Sequence, residues 1–151
     1  MAGNANGETT RVDTLLNSAL ESADEAERLV VNVARESGFV EEDLHQIGMA
    51  VRESIVNAVV HGNRYHRRKK VHLSVLSADD RLTVIVADEG EGFDLSALPD
   101  PLAEHNLLQQ SGRGIFLIRT FMDDFQVRRL SPHGTEVKLV KLKHPSKVEE
   151  D

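Results

Sequence analysis

The apolar period of this chain shifts from helical to strand-like after residue 62, and that change limits the folds open to it. Upstream, apolar residues recur at helical spacing. Ala26, Leu29, Val30, Val33 and Ala34 mark a first helix, with Ser22 as its N-cap, Glu25 as the capping-box partner and Gly38 as its stop. A second helix is expected over residues 41–62, with Leu44, Ile47, Val51, Ile55, Ala58 and Val59 as its buried stripe. Acidic residues 41–43 suit its positive end. Ahead of both, residues 9–16 read as a strand with Val12, Thr14 and Leu16 on one face.

Downstream the period is that of strands. Residues 71–76 and 82–87 are joined by an Ala78-Asp79-Asp80 turn, so the simplest pairing is a hairpin. Pro99 and Pro101 interrupt residues 95–110, which read as irregular. A third helix opens at Gly112 or Gly114 and presents Ile115, Leu117, Ile118, Phe121 and Met122 to a core. Residues 125–130 and 136–142 are the last two strands, across a Ser131-Pro132-His133-Gly134 turn. Lacking regular β-α-β alternation, this order predicts an α+β fold, a mixed and mostly antiparallel sheet with helices on one face. The 151 residues suit a single domain, expected over residues 9–144, with 1–8 and 145–151 as flexible termini.

Composition narrows the function. A formal net charge of −7 argues against direct nucleic-acid binding, which depends on Lys and Arg neutralising phosphates. The absence of cysteine excludes a disulfide frame, a thiolate nucleophile and a thiolate zinc site, and it fits a reducing cytoplasm. Residues 1–10 are polar and lack a signal pattern. No apolar run approaches the roughly 18 residues of a membrane span.

Four of the ten glycines fall at 90, 92, 112 and 114, in Asp88-Glu89-Gly90-Glu91-Gly92 and Ser111-Gly112-Arg113-Gly114. Asp88 ends an apolar strand, where a shielded carboxylate can accept from an exocyclic amine such as adenine's; a plain turn explains the pattern too. The second segment opens an apolar helix, whose N–H groups and dipole favour a phosphate, with Arg113 adding charge. The bland reading is a helix entry with permissive glycines. Glu53 and Asn57 are four apart and share a helix face offset from the buried stripe. Asn57 offers magnesium a neutral oxygen and Glu53 a base, although a solvated Glu–Asn pair is the plain alternative. His61 follows Asn57 by one turn and either borders the same cleft or ends the helix structurally. Arg64 to Lys70 carries five basic residues and reads as a solvated loop or a contact for an acidic partner. Gly-x-Gly-x-x-Gly fails because Leu95 and Leu117 stand in the third glycine's place, and no P-loop pattern occurs.

In this order, these segments resemble the GHKL ATP-binding superfamily, and within it the small anti-sigma-factor serine/threonine kinases. Glu53 to Asn63 is similar to the N-box, Asp88 to Asp94 to the first glycine box, Ser111 to Ile118 to the second and Gly134-Thr135 to the terminal Gly-Thr. The likeness spans nearly all of residues 10–143. It implies a two-layer α/β sandwich with ATP between the helices and a lid at about residues 95–111. It assigns Asn57 to magnesium, Glu53 to the general base and Asp88 to the adenine amino group. Gly90, Gly92, Gly112, Arg113 and Gly114 would line the nucleotide, with Thr135 beside the adenine; Arg113 stands where other members often carry a different side chain. The family's kinases phosphorylate a STAS-type anti-sigma-factor antagonist, sequester a sigma factor and commonly form homodimers. Two other readings follow from the same boxes: a non-catalytic ATP-binding module that shapes a partner surface, and the ATP-binding part of a histidine-kinase-like system. Residues 1–40 contain no histidine, which disfavours the last.

Overall fold

A computed structural model describes residues 10–90 and 114–143. Five strands form one sheet: β1 (Thr10–Asn17), β2 (Lys70–Ser77), β3 (Arg81–Ala87), β4 (Asp124–Arg129) and β5 (Thr135–Leu142). Their spatial order is β1-β2-β3-β5-β4, and every neighbouring pair is antiparallel. The expected α+β fold is therefore present, with an antiparallel sheet in place of a mixed one among the described residues. β2 and β3 make the expected hairpin, as do β4 and β5. The pairing of β3 with β5 brings the end of the first hairpin against the start of the last strand.

Alternation decides which sheet face is covered. Val71, Leu73 and Val75 of β2, Leu82, Val84 and Val86 of β3 and Leu139 of β5 are buried on one face, and Leu16 of β1 joins them. Leu15, on the opposite face, is 60% exposed. Three helices cover the buried face: α1 (Glu21–Glu36) touches β2, α2 (Glu41–Asn57) touches β3 and α3 (Gly114–Phe121) touches α2 and β4. The predicted stripe of α2 is wholly buried. Burying one such Leu or Ile contributes about 1.5–3 kcal/mol, against about 0.2–0.5 for an exposed i,i+4 pair, so the stripe sets the rotation of α2 about its axis. That rotation fixes where Glu53 and Asn57 point.

Two helix boundaries differ from expectation. Ser22 is not an N-cap: α1 begins at Glu21, and Leu20 before it already has helical φ and ψ. The carbonyls of Ala19 and Leu20 accept from Ser22 N and Ala23 N, so the first amides are satisfied by backbone. Ser22 is instead buried and donates its hydroxyl to Asn17 O at 2.7 Å, tying α1 to the end of β1. The second helix does not stay α-helical to residue 62. After Asn57 it widens into a π-helical turn, Ala58–Gly62, in which Asn63 N reaches back to Ala58 O at 2.7 Å. Such turns insert one residue and occur often at functional sites. Gly38, with φ near +100°, follows the C-cap Ser37 and stops α1 as expected.

Candidate functional site

Glu53 and Asn57 lie half-buried on the last turn of α2, facing the start of α3. A Cβ placed on Gly114 would stand 2.7 Å from Glu53 Oε1 and 3.7 Å from Asn57 Nδ2. Residues about sixty apart in sequence thus meet, and a side chain at 114 would displace the Glu53 carboxylate. A carboxylate, a carboxamide and the first turn of a helix converge on one spot. The first N–H groups of such a helix have no intrahelical acceptor, which makes this a place where an anion can be held beside a base.

The second half of the site is built on Asp88, which follows β3 and is only 8% exposed. Its Oδ1 accepts from Gly90 N at 2.9 Å and Thr135 N at 3.2 Å, while Asp88 N donates to Thr135 O at 2.9 Å. Two glycines press on it. A Cβ on Gly62 would overlap the carboxylate, and one on Gly134 would stand 2.6 Å from Asp88 O. Gly134 also has φ near +110°, a second reason for glycine there. Gly90 lies so close to the carbonyl of Gly62 that any side chain would collide with it. The π-helical turn is what delivers Gly62 to this position. Burial raises the Asp88 carboxyl above its ordinary value, outweighing the pull of the Gly90 and Thr135 amides and the charges of Lys69 and Arg129. A neighbouring amine donor would reverse that balance and favour the carboxylate.

Asn63 braces this arrangement. It is buried; its Nδ2 donates to Ser18 Oγ at 2.9 Å and Lys70 O at 3.0 Å, and its Oδ1 accepts from Glu89 N at 2.8 Å. One side chain therefore joins the ends of β1 and α2 to the start of β2 and the Asp88 loop. Glu89 faces the other way, where His72 Nε2 lies 2.6 Å from its Oε2 and holds its carboxyl below the ordinary range.

Of the predicted site residues, Glu53, Asn57 and Gly114 share one end of this region, and Asp88, Gly90 and Thr135 share the other. His61 is exposed on the π-helical turn. Gly92, Gly112 and Arg113, with the expected lid, lie outside the described residues. Sequence reasoning assigned no structural part to Gly62 or Asn63. The Gly-Asn pair closing a long helix was the available signal, but its meaning depends on what packs against it.

A profile of the histidine kinase-like ATPase domain matches residues 16–141 of this chain. The chain belongs to that family. Serine-protein kinase RsbW of Bacillus subtilis is 30% identical over 125 residues, covering 79% of this chain and 77% of that protein. Anti-sigma F factor of Oceanobacillus iheyensis is 31% identical over 109 residues, covering 71% and 75%. In structure, the chain superposes on a crystal structure of the RsbU and RsbW domains of a Mycobacterium tuberculosis protein, with a TM-score of 0.65 at 17% identity. That likeness covers 91% of this chain but 34% of the longer one, and it concerns the fold. The expected family, the α+β architecture and the kinship with ATP-using protein kinases and anti-sigma factors are borne out by these matches.

The chemistry of these residues suits a nucleotide such as ATP. The glycines at 62 and 90 let the π-helical turn and the Asp88 loop close on each other. At one end a shielded acceptor suits an amino purine; at the other, the Glu53–Asn57 pair and the first turn of α3 suit a triphosphate.

Proposed function

We propose that this protein is an ATP-dependent serine/threonine protein kinase that phosphorylates a STAS-type anti-sigma-factor antagonist and sequesters a sigma factor, working as a homodimer in the cytoplasm. The observation that carries the reading is the contact of Gly114 with Glu53 and Asn57. It brings a carboxylate and a carboxamide to the first turn of a helix, which supports roles as base, metal ligand and phosphate holder. Kinship with serine-protein kinases and an anti-sigma F factor supports the choice of substrate and partner. Among the described residues no helix is long and apolar enough to cross a membrane.

In this reading Asp88 accepts the adenine amino group, Thr135 supports it, and Gly90 and Gly92 let the loop pass beneath the base. Gly112, Arg113 and Gly114 hold the phosphates at the head of α3, and His61 borders the cleft. Asn57 holds magnesium, which when bound neutralises charge on the triphosphate oxygens. Glu53 accepts the proton of the incoming hydroxyl as its oxygen bonds to the γ-phosphorus and the bond to the β-bridging oxygen breaks, releasing ADP. Little else is required, because phosphoryl transfer is catalysed chiefly by positioning and charge stabilisation.

Phosphotransfer to a STAS-domain protein, followed by mass shift, tests the assignment. Glu53→Ala should slow transfer roughly a hundred- to ten-thousand-fold while ATP affinity holds. Failure of the wild type to modify its cognate STAS partner, with ATP bound, would leave a non-catalytic binding module instead.

A further inference from the structure

Asp88, Thr135 and Arg129 form a row across three adjacent strands. Ala87 pairs with Glu136, so Asp88 falls opposite Thr135, and Thr135 in turn pairs with Arg129 at the end of β4. Opposed residues project from the same sheet face. Phe125, Val127 and Arg129 alternate on the helix-covered face; Phe125 packs on the core together with Val137 of β5. Arg128, one residue earlier, points to the open face and pairs with Glu136 at 3.0 Å. Arg129 is therefore the inward guanidinium of this pair, on the same sheet face as Asp88.

Its condition is unusual. Arg129 Nε and Nη1 are both buried, and neither has a hydrogen-bond partner among the described residues. No ion pair joins Arg129 to Asp88 among the described residues, although its charge reaches that carboxyl. Buried donors without acceptors are costly, and native structures seldom keep them without a purpose. The strands carrying Asp88 and Arg129 are two ladder spacings apart, about 10 Å, which an extended arginine crosses only in part. Thr135 stands between them on the same face, with the Asp88 acceptor on one side of it and the Arg129 donors on the other. A base edge that pairs an amine with an adjacent ring nitrogen has the complementary pattern.

We propose that Arg129 is a purine-recognition residue whose buried N–H groups donate to a ring nitrogen flanking the amino group that Asp88 accepts. The inference rests on the ATP reading of the Asp88 site and extends it to base selectivity. An amino group alone satisfies Asp88; the amine and ring acceptor together satisfy the row. A base offering a ring N–H in that place sets donor against donor.

Titration calorimetry on the full chain with ATP, 1-deaza-ATP and 7-deaza-ATP tests it, comparing wild type, Arg129→Met and Asp88→Asn. Wild type should bind one of the two deaza analogues roughly 10- to 100-fold more weakly than ATP, the fold-change of a hydrogen bond to a charged group. Arg129→Met should weaken ATP by a similar factor and bind that analogue as well as it binds ATP. Without nucleotide, Arg129→Met should melt no lower than wild type, since it removes unpaired buried donors. Wild-type ATP affinity in Arg129→Met, equal losses for all three nucleotides, or a large fall in its ligand-free melting temperature would each overturn the inference. Asp88→Asn separates the two layers: undiminished ATP affinity there defeats the base site as a whole, whereas loss in Asp88→Asn with none in Arg129→Met defeats Arg129 alone.

Discussion

Asp88 carries the most consequence of any single residue here, because its charge state and its ligand are linked. A carboxyl raised by burial contributes stability that is fully present below its unfolded value and is lost as pH rises through the raised folded value. The ligand-free protein should therefore lose stability over that interval relative to Asp88→Asn, in which Oδ1 can still accept from Gly90 and Thr135. ATP affinity should move the opposite way and strengthen as the carboxylate forms, since the amino group needs an acceptor. Urea titrations across the acid range, with and without ATP, measure both slopes; parallel slopes in wild type and Asp88→Asn would show that Asp88 titrates normally. Asp88 was legible in sequence as a carboxylate ending an apolar strand before two glycines. Asn63 was not, because an asparagine after a helix looks alike whether it is exposed or, as here, bonded to three segments.

Among the elements, α3 is the one whose placement matters most, since its first residue closes on Glu53 and Asn57. Its far end is held by Lys141, a buried cation on the inward face of β5. Lys141 Nζ donates to Phe121 O at 2.6 Å and to Gln46 Oε1 at 2.9 Å, binding the last carbonyl of α3 to both sheet and α2. Replacing it with methionine keeps the stem but strands those acceptors. Lys141→Met should cost about 1–3 kcal/mol and lower the urea midpoint without altering its slope. An unchanged midpoint would mean that α3 is held by its apolar face alone. Period and spacing located α1, α2, α3 and all five strands to within a residue or two. They misjudged Ser22 and the tail of α2. Ser22 matched a capping pattern, but packing against β1 let backbone carbonyls satisfy the amides first. The π-helical turn answers the need to bring Gly62 under Asp88, a need that no local pattern expresses.

At the scale of the whole molecule, the site joins segments from both halves of the chain, so ligand and fold should stabilise one another. With ATP at a hundred times its dissociation constant, linkage predicts about 2.7 kcal/mol of added stability, seen as a rise in melting temperature. Magnesium should enlarge the rise, and Asn57→Ala should remove that enlargement. Equal melting with and without nucleotide would refute the site. Alternation, helical spacing and the ordered glycine segments were enough to identify the elements, the α+β class and the candidate site residues, because those depend on neighbours a few positions away. The strand order β1-β2-β3-β5-β4, the seating of Gly114 on Glu53 and the inward guanidinium of Arg129 depend on contacts between distant segments. Closing a long chain into a sheet puts residues side by side according to register, and register is decided jointly by every strand and helix that must bury its apolar face at once.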